Sequence, residues 1–105
     1  MENKLKPYWT DQAIRQLKEI HNFYKAFGEN TVKKRVYPIK KQVERLTTFP
    51  YLGKVVFEYQ SLETFYSLIE GDYKIIYQIK EETLFIVAIF DCRQNPSNLC
   101  TMLKL

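Results

Sequence analysis

From Leu84 to Phe90 the chain runs Leu-Phe-Ile-Val-Ala-Ile-Phe, seven residues with no polar side chain, most of them β-branched or aromatic. A strand without a polar face needs cover on both sides, so this segment belongs at the centre of whatever the chain builds. Ahead of it, Tyr73, Ile75, Tyr77 and Ile79 alternate with Lys74, Gln78 and Lys80, the period of a strand with one face more buried; Ile76 alone breaks the polar set. Glu81-Glu82-Thr83 is too short for a crossover, so the two strands, about Tyr73–Lys80 and Leu84–Asp91, must return antiparallel through a tight hairpin. Charge gathers in Asp91-Cys92-Arg93-Gln94-Asn95, and Pro96 stops the pairing.

The rest of the chain supplies cover for that hairpin. Lys6-Pro7-Tyr8-Trp9 reads as an edge strand, with Pro7 confined to its outer position. Thr10 is placed to cap a helix over about Asp11 to Phe27: Asp11 favours the dipole of its first turn, Ala13, Ile14, Leu17, Ile20, Tyr24 and Phe27 form an apolar stripe, and Gly28 ends it as a C′ glycine. Asn30 or Thr31 can cap a second helix, about Thr31 to Thr48, with Val32, Val36, Ile39, Val43 and Leu46 in its stripe. Pro38 falls inside it and predicts either a kink near Tyr37 or a break from which the helix restarts. Joined by a few residues, the two helices should lie antiparallel as one apolar layer. After a turn at Tyr51-Leu52-Gly53, Lys54 to Tyr59 suits a short strand or an extended loop; Glu63 to Glu70 suits another strand, with Phe65, Ser67 and Ile69 on one side and Tyr66 and Leu68 on the other. The order reads β-α-α-β-β-β, an α+β arrangement in one domain spanning residues 1–105.

Composition narrows the functional classes. With 46% apolar and 27% charged residues and no apolar run long enough to cross a bilayer, the chain is expected to be cytoplasmic, with no membrane partner and no signal peptide. Cys92 and Cys100 lack a metal-ligand partner set and read as free thiols, and no cofactor is expected, because no phosphate loop, CxxC pair, HExxH or GxSxG is present. His21, the single histidine, sits beside the first helix's stripe as a boundary imidazole without a catalytic partner. Charge is uneven. Between Asn30 and Phe49 six basic residues, Lys33, Lys34, Arg35, Lys40, Lys41 and Arg45, stand against Glu44 alone, a surface for a polyanion or an acidic partner, or else a solvated helix face.

Several of these segments together resemble the RelE/ParE superfamily, toxins of bacterial type II toxin–antitoxin pairs also described as plasmid stabilisation proteins. The likeness lies in Trp9-Thr10 followed by Ala13, Leu17, Ile20 and Tyr24; in Leu46 with Pro50 and Gly53; in Leu68-Ile69-Glu70-Gly71 leading into Tyr73-Lys74-Ile75-Ile76-Tyr77; and in Phe90-Asp91 with Arg93-Gln94-Asn95-Pro96. It implies the RelE-like fold, a helical hairpin on a small curved antiparallel sheet, and a growth-inhibiting toxin neutralised by a cognate antitoxin through an acidic, amphipathic C-terminal segment, as a homodimer or a heterotetramer with it. One branch of the family looks like a ribonuclease acting on ribosome-bound mRNA; the ParE-like branch is understood to poison DNA gyrase. A ParE-like or undetermined target is the first expectation, a ribosome-dependent mRNA endonuclease the second, and a non-toxic binding module the third.

For RNA cleavage the protein must supply cations for the phosphorane and a proton donor for the leaving oxygen. The resemblance points to Arg93, Lys74 and Tyr66 as the catalytic candidates, meeting on one side of the sheet with Lys54, while Lys54, Lys33, Lys34, Lys40, Lys41 and Arg45 are the candidate nucleic-acid or target contacts. The pattern departs from the ribonucleases, since no residue from Leu68 to Glu70 is basic and no Tyr or His follows Arg93, and Tyr66 stands where many non-ribonuclease relatives carry arginine. Arg93 can equally pair with Asp91 and close the strand, Lys74 be solvated, and Tyr66 pack across strands. The second sheet face, with the apolar Leu99, Met102, Leu103 and Leu105, is expected to stay open for a partner.

Overall fold

The computed structural model describes residues 4–59, 63–95 and 97–98. Five strands form one sheet in the order β1-β5-β4-β3-β2: β1 (Lys6–Trp9), β2 (Lys54–Tyr59), β3 (Glu63–Glu70), β4 (Tyr73–Lys80) and β5 (Thr83–Asp91). Strands β2 to β5 pair antiparallel, and β4 and β5 are central as their patterning required. One detail departs from an all-antiparallel sheet: β1 runs parallel to β5, because a helical layer intervenes between them and returns the chain to the same end. The stretch left open as strand or loop is strand β2.

Helix α1 (Asp11–Lys25) carries the first stripe. Ala13, Ile20 and Tyr24 are buried, whereas Ile14 and Phe27 are exposed, Phe27 because the helix stops two residues early. Ala26 is the cap, so Gly28 lies beyond the C′ position; at φ 105° it is the N-cap of α2 (Glu29–Arg35), a role expected of Asn30 or Thr31. Positive φ is cheap only for glycine, which is why it and not a side-chain cap makes this corner. The second stripe is then divided. Val36 closes α2 and opens α3 (Tyr37–Thr48), with Pro38 in the first turn of α3, the restart alternative and not a smooth kink.

All three helices pack on one face of the sheet. Val32, Val36, Ile39, Val43 and Leu46 meet Tyr73, Ile75 and Tyr77 of β4 and Leu84, Ile86 and Ile89 of β5 in the main core. Residue parity on β5 changes midway, since Tyr77 pairs with Ile86 but Ile76 with Ala88, leaving Val87 as a bulge. That bulge is where α1 docks. The Thr10 hydroxyl accepts from Ala13 N at 3.2 Å and points at the carbonyls of Ile86 and Val87, Gln12 Nε2 donates to Val87 O at 3.1 Å, and Ile89 N donates to Gln16 Oε1 at 2.8 Å. The opposite face, expected to stay open, is open only in part: Phe65, Ile76, Ala88 and Phe90 form a second cluster, each at most 4% exposed, while Ile69 on the same face is exposed. The apolar tail at Leu99, Met102, Leu103 and Leu105, with Cys100, lies outside the described residues; Cys92 is a free, exposed thiol.

Candidate functional site

Where β5 ends, the backbone turns at Asp91 and brings Arg93 back over the helix side of the sheet. Cys92 N donates to Asp72 O at 2.8 Å, fixing the loop against the preceding turn. The Arg93 guanidinium then grips Asp91 with two hydrogen bonds, Nε to Oδ1 and Nη2 to Oδ2, both 2.9 Å, while Arg93 N donates to Oδ1 at 2.9 Å. Nη2 also reaches Tyr73 Oη at 3.4 Å, and the guanidinium carbon lies 5.9 Å from the centre of the Tyr73 ring. Tyr73 Oη in turn donates to Tyr24 Oη at 3.2 Å, and Arg35 sits 5.9 Å over the Tyr24 ring. Two arginines thus bracket a pair of tyrosines joined through their hydroxyls, a cluster that ties α1, α2 and β4 together.

Electrostatics follow the contacts. The Arg93 hydrogen bonds hold the Asp91 carboxyl below its usual range, and Asp91 in return raises the guanidinium further above neutrality, so both stay ionised. Burial, then the bond to Tyr24, pushes the Tyr73 phenol well up; it remains protonated and is a donor, not a base. The cleft beside this cluster holds about 350 Å³ and is floored by Ile20 and Ile89, with Phe23, Glu19, Gln16 and Gln94 at its rim.

Of the sequence candidates, Arg93 is here; the others are not. Tyr66 lies on the helix side of β3, stacked on Tyr77 at 5.3 Å and met by Tyr51 at 5.9 Å. Tyr77 is four residues from Tyr73, about 13 Å along the strand, so Tyr66 and Arg93 do not meet. Lys74 and Lys54 sit on the sheet face away from the helices, since Lys74 pairs with Ile69 and Lys54 with Ser67, on the opposite parity from Tyr66 and Leu68. The expected meeting of Arg93, Lys74, Lys54 and Tyr66 on one side is therefore not made, and the bulge and alternation are the reason. Lys33, Lys34, Arg35, Lys40, Lys41 and Arg45 are all exposed on α2 and α3, with Lys40 5.8 Å over the Tyr37 ring. The cleft residues Gln16, Glu19 and Phe23 escaped the sequence reading; the one signal was Phe23, a large apolar residue lying off the α1 stripe. Among the described residues no group of His, Cys, Asp and Glu is arranged to hold a metal, and no helix is long and apolar enough to cross a membrane.

Helices on one face of a mixed five-stranded sheet, with an arginine clamped at the end of its last strand, define a small α+β toxin-like scaffold. The family model described as ParE toxin of type II toxin-antitoxin system, parDE, matches residues 8–96, and the chain belongs to that family. It is a toxin component of a type II toxin–antitoxin system, with a cognate antitoxin as its partner. Among solved structures it is similar to a chain of the chromosomal ParDE toxin–antitoxin system from P. aeruginosa, at 20% identity and a TM-score of 0.66, over 86% of this chain and 98% of that one. No curated protein matches it.

Proposed function

We propose that this toxin arrests growth in the ParE manner, by binding a protein target in the cytoplasm, DNA gyrase being the target the resemblance implies, and that it does not cut RNA. One observation carries the reading. Among the described residues the candidate cation at the end of β5, Arg93, is already paired with Asp91 and shared with Tyr73, while Lys74 and Tyr66 are on other parts of the sheet. In-line RNA cleavage needs phosphate-binding cations and a proton donor within hydrogen-bond reach of one phosphate, and these side chains do not converge on one point. The antitoxin is held, in this reading, by its acidic amphipathic C-terminal segment against the exposed cations of α2 and α3 and the exposed Phe23, Phe27 and Tyr37.

Induced expression, with mRNA integrity and plasmid supercoiling measured in the same cells, tests it. The expected result is growth arrest with relaxed plasmid and intact mRNA. Fragmented mRNA whose fragmentation disappears in Arg93→Ala would establish the ribonuclease instead, and unimpaired growth would leave a binding module.

A further inference from the structure

At the outer edge of the sheet lies a second cleft of about 230 Å³ between the α3–β2 loop and β3, lined by Leu52, Gly53, Lys54, Ser67, Leu68 and Ile69, with Ser67 and Ile69 on the face away from the helices and Leu68 on the helix side. Its walls are apolar and wet: Ile69 is 61% and Leu52 41% exposed. Its cations are on the same face, because Lys54 pairs with Ser67 and Lys74 with Ile69, so the two lysines flank β3 from either side, offset by two residues. No described carboxylate lies within ion-pair distance of either.

We propose that this cleft docks the toxin's protein target, and that the segment it takes is acidic with one large aliphatic or aromatic anchor. This rests on the protein-target reading above. An anchor seated between Leu52 and Ile69 buries apolar surface now facing water, and carboxylates on either side of it reach Lys54 and Lys74. The walls favour protein over RNA, since single-stranded nucleic acid is held by aromatic platforms beneath the bases, whereas the exposed side chains here are branched aliphatics. Lys54, Lys74 and Ile69 also lie on the sheet face opposite the one that α2 and α3 cover. One face of the molecule is left for the antitoxin and another for the target.

The test compares Lys54→Glu/Lys74→Glu and Ile69→Asp with the wild type in three readouts: growth arrest on induced expression, association of the purified variant with the cognate antitoxin, and cleavage of a reporter mRNA. Both variants should need at least about tenfold more toxin for the same arrest, a shift the size of one lost interface anchor. Melting should be unchanged, and antitoxin affinity should stay within about threefold of wild type, a difference too small to be an anchor. Lys54→Arg/Lys74→Arg, which keeps the charge, should restore arrest. Arrest undiminished in both variants overturns the proposal alone. Antitoxin affinity lost together with arrest makes the antitoxin the occupant and overturns it too. Reporter cleavage by the wild type removes the protein-target reading, and with it the proposal.

Discussion

Single side chains hold this fold at points where the chain has no regular structure. Tyr77 is fully buried, and its hydroxyl donates to Pro50 O at 2.7 Å while accepting from Gly53 N at 3.0 Å, so one phenol satisfies the two polar groups of the α3–β2 corner. Gly53 leaves no room for more: a Cβ there would lie 2.5 Å from Ser67 O and 2.6 Å from Tyr77 Oη. Tyr77→Phe is expected to cost about 1–3 kcal/mol, the penalty of orphaned buried groups, and Gly53→Ala about 1–3 kcal/mol from overpacking, both read as a shifted urea midpoint. The ionisable groups set a second expectation. Asp91 is held below the value of roughly 3.9 it has in an unfolded chain, so its contribution is present above that pH and is lost as pH falls through the depressed value. Tyr73 and Tyr77 are held above roughly 10, so theirs is present below that pH and is lost as pH climbs through the raised values. Asp91→Asn should flatten the acid limb of a stability-against-pH curve and Tyr73→Phe the alkaline limb; unchanged limbs would mean these contacts are not kept in solution. Gly53 and Tyr77 could each be named from the sequence, but not their contact, because a hydrogen bond across 24 residues leaves no periodic trace.

The elements were more legible than their ends. The apolar run Leu84–Phe90 and the alternation before it located β5 and β4 because burial on one or two faces writes directly into residue order. The division of the second helix at Val36 was one of two outcomes Pro38 allowed, and the parallel pairing of β1 left no mark in four residues. The bulge at Val87 was invisible for a plain reason: where every residue is apolar, a one-residue change of parity alters no pattern. The tight hairpin between β4 and β5 is present, closed by the Lys80–Thr83 pair, yet its chemistry is unusual. Glu81 and Glu82 both have positive φ, 45° and 64°, the geometry of a two-residue type I′ turn that Asn-Gly fits and glutamate does not. Left-handed backbone costs an ordinary residue roughly 1–2 kcal/mol, so Glu81→Asn with Glu82→Gly should stabilise the fold by about that much in thermal or urea melts. A variant no more stable than wild type would show that contacts such as the Lys6 N to Glu82 O bond offset the strain.

Across the whole molecule, cations lie beside exposed apolar side chains on both sides of the sheet. The helix side presents Lys33, Lys34, Arg35, Lys40, Lys41 and Arg45, all exposed and opposed on their own helices by Glu44 and Glu29, next to the exposed rings of Phe23, Phe27 and Tyr37. Folding does not require these cations, since the core beneath them is made by Val32, Val36, Ile39, Val43 and Leu46. Their consequence is a field reaching into solvent over a screening length of about 10 Å at 0.1 M salt. On the reading proposed above, an acidic antitoxin segment approaching this face is steered by that field before any contact forms, so the association rate should fall steeply as salt rises while dissociation, governed by the aromatic anchors, changes little. Lys33→Glu with Lys34→Glu should slow association by about tenfold at low salt, with melting unaltered, and the rates of variant and wild type should converge at high salt where screening removes the difference. Stopped-flow mixing with the purified antitoxin measures this directly. An association rate independent of salt, or a variant that changes only dissociation, would place the antitoxin on another face of the molecule.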